Sequence, residues 1–151
     1  MKRHTLIIAA ALLAALLCAS AAYAAQSGDP GAAAEIAQYE KKAKKTPSGL
    51  KYVVLRQGKG DKPQRGQMVD THYVGRLMNG QLFDQSMGRG PFSFKVGTGQ
   101  VIKAWDEALL DMRLGEKRAL IVPPSLGYGS KGAGNAIPPN ATLFFEVERL
   151  R

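Results

Sequence analysis

The chain has 151 residues, 45% of them hydrophobic, with 21 lysines and arginines against 12 acidic residues and a net charge of +9. That length supports one domain or slightly more. A lone cysteine, Cys18, excludes an internal disulfide, and basic residues spread along the chain, apart from Lys41-Lys42-Ala43-Lys44-Lys45, argue against a nucleic-acid partner.

The N-terminus reads as a cleaved secretory leader. Lys2 and Arg3 open it, an apolar run from Leu6 to Leu17 follows, and Ala22-Tyr23-Ala24 places small residues where a signal peptidase reads them. The apolar run is short against the roughly 20 residues of a membrane span. A signal peptide over 1–24, a cut after Ala24 and no stable membrane anchor afterwards are therefore expected. A lipoprotein start at Cys18 is disfavoured because Leu16 and Leu17 precede it where small residues are needed. The leader points to the periplasm or cell exterior, and its alanine- and leucine-rich texture looks bacterial.

Residues 25–31 read as a flexible linker, and 32–45 as a marginal, exposed helix with a thin apolar stripe of Ile36, Tyr39 and Ala43. Thr46-Pro47-Ser48-Gly49 ends it, because proline disfavours helix in the residue before it. From Leu50 the pattern becomes short strands: Leu50, Tyr52 and Val54 alternate, and Met68 to Met78 sets Val69, Thr71 and Tyr73 on one face. Asn79-Gly80 predicts a hairpin of type I′, with positive φ at both central residues. One helix is expected within this region, with Trp105, Leu109 and Met112 on its apolar face and Gly115 as its stop. Lys117–Val122 and Ala141–Leu150 are further strands, separated by a long loop from Pro123 to Pro139. Antiparallel strands with a single short helix imply an α+β fold, a curved sheet wrapped around that helix with one buried face, and a pocket between them.

Much chemistry is poorly served by these residues. After the leader the only histidine is His72, whose strand neighbours point to the opposite face, so neither a nucleophilic triad nor a zinc site is supported. Gly97-Thr98-Gly99 lacks the remainder of a phosphate-binding fingerprint and reads as a turn. Asp106, Glu107 and Asp111 read as a solvated helix surface. Tyr73, Phe83, Phe92, Phe94, Trp105, Tyr128 and Phe145 are, by composition alone, core aromatics.

In order and with their surroundings, these residues resemble the FKBP family of macrolide-binding peptidyl-prolyl cis/trans isomerases. The resemblance runs from about residue 46 to 151. It is carried by Thr46-Pro47-Ser48-Gly49-Leu50-Lys51-Tyr52, Val69-Asp70-Thr71-His72-Tyr73-Val74-Gly75 and Asn79-Gly80-Gln81-Leu82-Phe83-Asp84-Gln85-Ser86. Pro91-Phe92-Ser93-Phe94, Val96 to Trp105, Leu126-Gly127-Tyr128-Gly129 and Ile137 to Val147 continue it. It implies an isomerase domain over 46–151, preceded by the short helical segment 25–45, and an expected monomer. It also implies catalytic roles for Tyr73, Phe83, Asp84, Trp105, Tyr128 and Phe145, and substrate contacts from Phe92, Phe94, Val101, Ile102 and Ile137. Trp105 would form the floor of a proline pocket, and the Ile102 N–H and Tyr128 hydroxyl would orient flanking carbonyls. The partners implied are proline-containing proteins or peptides and tacrolimus- or rapamycin-type macrolides, with no cofactor and no metal. A proline-recognising chaperone or adaptor with little turnover is the alternative. Three departures from the family pattern stand out: Ala104, where the family usually has glycine and a methyl would crowd the helix start, Leu126-Gly127 before Tyr128, and the small stretch Ala133 to Ala136.

Overall fold

The structure is a computed structural model that describes residues 28–151; the signal peptide, its cut after Ala24 and residues 25–27 of the predicted linker lie outside the described residues. Its elements are α1 (Pro30–Lys42), β1 (Lys44–Lys45), β2 (Lys51–Arg56), β3 (Met68–Leu77), β4 (Leu82–Gln85) and β5 (Phe92–Lys95). They continue with α2 (Lys103–Asp111), β6 (Lys117–Val122), a 3-10 turn (Pro124–Leu126) and β7 (Leu143–Arg149).

Every strand pairing is antiparallel, in the order β1-β2-β6-β7-β3-β4, with β5 also paired to β3. β3 is long enough to take two partners on one edge: Met68–Thr71 pairs with β5, and Val74–Arg76 pairs with β4. Between them the Ser86 side chain stands in for a strand. Its Oγ accepts the Tyr73 N–H at 2.9 Å and bonds His72 Nδ1 at 2.9 Å, while the Ser86 N–H donates to the Tyr73 carbonyl at 3.0 Å. The detour from 86 to 91 opens the mouth of a cavity beside Tyr73.

Period-two patterning selects the faces. Leu143, Phe145 and Val147 of β7 and Leu120 and Val122 of β6 join Ala104, Trp105, Ala108, Leu109 and Met112 in one core between sheet and α2. The predicted apolar face of α2 is thus the buried one, and Ala104, fully buried, puts its methyl into this core without disturbing the helix start at Lys103.

The opposite face corrects the expectation of one buried face and an exposed helix. Ala119, Ile121 and Phe144 point away from α2 and pack on Ile36 of α1, with Tyr39, Val53, Leu55 and Met78 around them. Tyr39 stacks on Phe144 at 5.9 Å, nearly parallel. The helix also begins inside the predicted linker, because Asp29 accepts the Gly31 and Ala32 N–H groups at 2.9 and 3.1 Å and Pro30 suits the first turn. It ends at Lys42, and Lys44–Lys45 turn back as an edge strand rather than extending it. Ile36→Ala should therefore cost about 2–4 kcal/mol, read as a lower urea midpoint; a change within 0.5 kcal/mol would mean that the helix is not seated on the sheet.

The Asn79-Gly80 hairpin forms, but not as type I′. Asn79 does not take positive φ, whereas Gly80 does at 87°. The Gly80 N–H closes a turn onto the Leu77 carbonyl at 2.9 Å, and Asn79 Oδ1 accepts the Gln81 N–H. A turn followed by a left-handed glycine is the three-residue alternative. A side chain at Gly80 would lie 2.1 Å from the Asp29 carbonyl, so the start of α1 rests directly on this turn.

Candidate functional site

A cavity of about 230 Å³ opens between the β3–β4–β7 part of the sheet and the start of α2. Of the residues expected there, Tyr73, Phe83, Asp84, Phe92, Val101, Ile102, Trp105, Tyr128 and Phe145 line it. Phe94 and Ile137 do not. Phe94 is buried on the far side of Phe92 and Trp105, at 5.6 and 5.9 Å, and Ile137 is buried in the core, paired with Ala133 across the 123–139 loop. Both support the site from behind.

Trp105 is the centre of an edge-to-face aromatic cluster. Tyr73 lies 5.0 Å away at 78°, Phe145 5.4 Å at 83° and Phe92 6.1 Å at 72°. Phe83 meets Phe145 at 5.5 Å and 90°. Such contacts contribute about 0.5–1.5 kcal/mol each beyond burial and hold the rings in fixed orientations. Close approach of Phe83 and Phe145 requires Gly75, where a side chain would lie 2.8 Å from both rings. The indole N–H of Trp105 is buried and, among the described residues, is the one buried side-chain polar atom without a partner.

The polar rim contains a network that the sequence reading held only in part. Tyr73 donates its hydroxyl to Asp84 Oδ2 at 2.6 Å, the Gln85 N–H donates to Asp84 Oδ1 at 2.9 Å, and Arg89 forms an ion pair with the same carboxylate. Arg89 also donates to the Gln85 carbonyl at 3.0 Å, which pins the 86–91 detour. Burial pushes the Asp84 carboxyl up, but the Tyr73, Arg89 and Gln85 donors outweigh it and hold its pKa below the usual carboxylate range. Burial first, and then the bond to Asp84, push the Tyr73 hydroxyl up to about 12. Burial and the nearby Asp84 charge also raise Tyr128. Asp84 is therefore ionised, Tyr73 and Tyr128 are neutral, and the Asp84 charge is already paired.

Two donors remain open to an occupant. Neither the Ile102 N–H nor the Tyr128 hydroxyl has a hydrogen-bond partner among the described residues. Ile102 is held in place by Asp106, which accepts the Gly97 and Gly99 N–H groups at 2.8 and 2.9 Å and so closes the turn leading into it. This corrects the solvated reading of the helix acids. Glu107 accepts the Ser48 hydroxyl at 2.6 Å, and Asp111 pairs with Arg118 at 2.8 Å. Each carboxylate ties α2 to a neighbouring segment.

Gln100 lines the cavity and was not foreseen, and neither was Arg89. Gln100 accepts the Lys95 N–H through Oε1 at 2.8 Å. The available signals were its place directly before Val101-Ile102 and the position of Arg89 five residues beyond Asp84, neither of which is distinctive alone.

The comparisons agree with this geometry. A profile of the FKBP-type peptidyl-prolyl cis-trans isomerase family matches residues 59–150. The chain is 52% identical over 103 residues to FK506-binding protein 1 of Dictyostelium discoideum, covering 68% of this chain and 96% of that protein. It is 48% identical over 98 residues to the FK506-binding protein of Neisseria meningitidis, covering 64% of this chain and 90% of that one. The crystal structure of AtFKBP13 matches with a TM-score of 0.70 at 39% identity, covering 72% of this chain and 97% of that one.

Proposed function

This chain belongs to the FKBP-type peptidyl-prolyl cis-trans isomerase family and is such an isomerase, and from that premise we propose that the cavity floored by Trp105 is where the X–Pro bond turns. The observation that carries this reading is the pairing of an aromatic cavity, whose one carboxylate is already bonded to Tyr73 and Arg89, with two unengaged donors, the Ile102 N–H and the Tyr128 hydroxyl, at its edge.

Rotation about a peptide bond costs about 18–20 kcal/mol because the C–N bond has double-bond character. X–Pro exchange left to itself takes tens to hundreds of seconds. In the twisted transition state resonance is lost and the carbonyl becomes less polar. An apolar, water-poor wall favours that form over the planar, better hydrated one. Trp105, Tyr73, Phe92 and Phe145 grip the proline ring, while Ile102 and Tyr128 hold the flanking carbonyls. Asp84 acts by fixing Tyr73 and holding Arg89 at the rim; no proton has to move.

A flat pH dependence follows. Asp84 titrates below the usual carboxylate range, so its contribution is present above the ordinary carboxylate pKa and is lost only as pH falls through the depressed folded value. Tyr73 favours its neutral form in the fold, so its contribution is full below the ordinary 10.0 and is lost as pH rises through about 12. kcat/KM should vary less than about twofold between pH 5.5 and 9; a bell centred near neutrality would reveal proton transfer and overturn this mechanism.

The primary test follows cis-to-trans relaxation of Leu-Pro and Phe-Pro tetrapeptides without a coupling protease, with and without rapamycin. Acceleration that the macrolide abolishes is the expected result. Folded protein that binds the macrolide without accelerating the reaction would make the chain a proline-recognising module instead. Binding of tacrolimus- and rapamycin-type macrolides in this cavity, a monomeric state, a catalytic unit over 46–151 and service to exported clients belong to the same proposal. The export reading is supported by the leader pattern of residues 1–24, and N-terminal sequencing of the protein recovered outside the cytoplasm should begin at Ala25.

A further inference from the structure

A second and larger concavity, about 800 Å³, lies between the start of α2 and the loop running from Pro124 to Lys131. It adjoins the aromatic cavity, since Val101, Ile102 and Tyr128 line both. Its further walls differ in character. They include Lys103, Lys131 and Ser130, and they include no acidic side chain. Lys103 and Lys131 are exposed, and among the described residues neither forms an ion pair. Lys103 is the first residue of α2, and the acid of that first turn, Asp106, is bonded to the Gly97 and Gly99 N–H groups rather than to either lysine. The one carboxylate lining the aromatic cavity is Asp84, and Arg89 already neutralises it.

We propose that this groove is an extended subsite for the substrate chain, and that Lys103 and Lys131 select X–Pro segments bearing aspartate or glutamate within a few residues of the proline. The inference rests on the isomerase reading of the adjoining cavity. A peptide whose proline sits over Trp105 must leave along the surface, and the shared wall at Ile102 and Tyr128 leads it into this groove. There a carboxylate meets two unpaired ammonium groups and no competing acid. The two lysines come from segments far apart in sequence, so the juxtaposition exists only in the folded protein.

The test uses peptides of the form Xaa-Ala-Leu-Pro-Phe-Ala-Xaa with Glu, Gln or Lys at one Xaa position in turn and Gln at the other. Two readouts are taken: kcat/KM for isomerisation, and peptide affinity from the fluorescence of Trp105, the only tryptophan. Glu should exceed Gln by roughly threefold to tenfold at low ionic strength in at least one position, with Lys below Gln, and the preference should shrink in high salt. Lys103→Gln/Lys131→Gln should bring the Glu-to-Gln ratio to about one, and Lys103→Arg/Lys131→Arg should restore it. Lys41→Gln/Lys42→Gln, which lowers net charge equally on α1, should leave the ratio intact; its loss there would assign the effect to the whole-protein field and overturn the subsite. Turnover with no preference overturns the subsite and leaves the isomerase reading standing. Glu-selective binding without turnover does the reverse, and neither turnover nor selective binding removes both.

Discussion

Replacing Trp105 with alanine should cost about 3–5 kcal/mol of stability and at least tenfold in kcat/KM, a loss of roughly 1.4 kcal/mol or more in transition-state stabilisation. The indole is only 4% exposed, and it touches Tyr73, Phe92, Phe94 and Phe145. Its removal leaves a hole that rigid ring neighbours cannot easily fill, and it also removes the surface on which a proline would rest. The two effects are separated by Phe94→Leu. Phe94 packs behind the indole and does not line the cavity, so its variant should lose stability while retaining most of the rate. Relaxation assays at low temperature, with folding checked by circular dichroism, give both numbers. A folded Trp105→Ala protein with undiminished kcat/KM would show that the reaction does not occur in this cavity.

Arg118→Met should be nearly as damaging to stability and nearly silent in catalysis. Arg118 lies buried at the end of the core between sheet and α2, bonded to Glu116 Oε1 at 2.5 Å and Asp111 Oδ2 at 2.8 Å, with its guanidinium 4.7 Å from the centre of the Tyr52 ring. Glu116 has a side chain only 4% exposed, and its other oxygen accepts the Arg113 N–H at 2.9 Å. Without the arginine a carboxylate remains buried with a single donor, a situation that costs about 3–5 kcal/mol. Thermal unfolding should fall by roughly 10 °C. Adding Glu116→Gln should recover part of the loss, because the charge goes with its partner. A single variant as stable as the parent would show that water reaches Glu116 in the native state.

The strands nearest the core were legible because their signals are local. Leu143, Phe145 and Val147 repeat every second residue, and Trp105, Leu109 and Met112 share one helical face, so each element declares its buried side without reference to any other. The convex-face packing has a weaker signal in the same strands. Phe144 and Ile121 interrupt the alternation of apolar with polar residues, and an apolar residue on the outer face of a strand calls for a cover. The helix provides it, although its stripe is thin, because one fully buried residue, Ile36, and one stacked ring, Tyr39, suffice over such a short contact. The hairpin at Asn79-Gly80 was legible as a reversal; its turn type was not, because the choice depends on what rests against Gly80.

The site divides in the same way. The order of aromatic residues around Val101-Ile102-Lys103-Ala104-Trp105 was enough to indicate the family and most of the cavity lining, since those side chains are bound to their elements by short-range spacing. Which acids are free and which are occupied was not accessible. Asp106, Glu107 and Asp111 look alike on a helical wheel, yet they bind a glycine turn, a serine hydroxyl and a buried arginine. The chain by itself determined the core helix and the longer strands, their inward faces and the residue types of the pocket, because these follow from backbone periodicity and side-chain polarity. Only the tertiary structure decided that Arg89 neutralises Asp84, that α1 covers Phe144, and that Lys103 and Lys131 share a groove. Those contacts depend on loops and packing that bring together groups whose sequence spacing carries no regular signal.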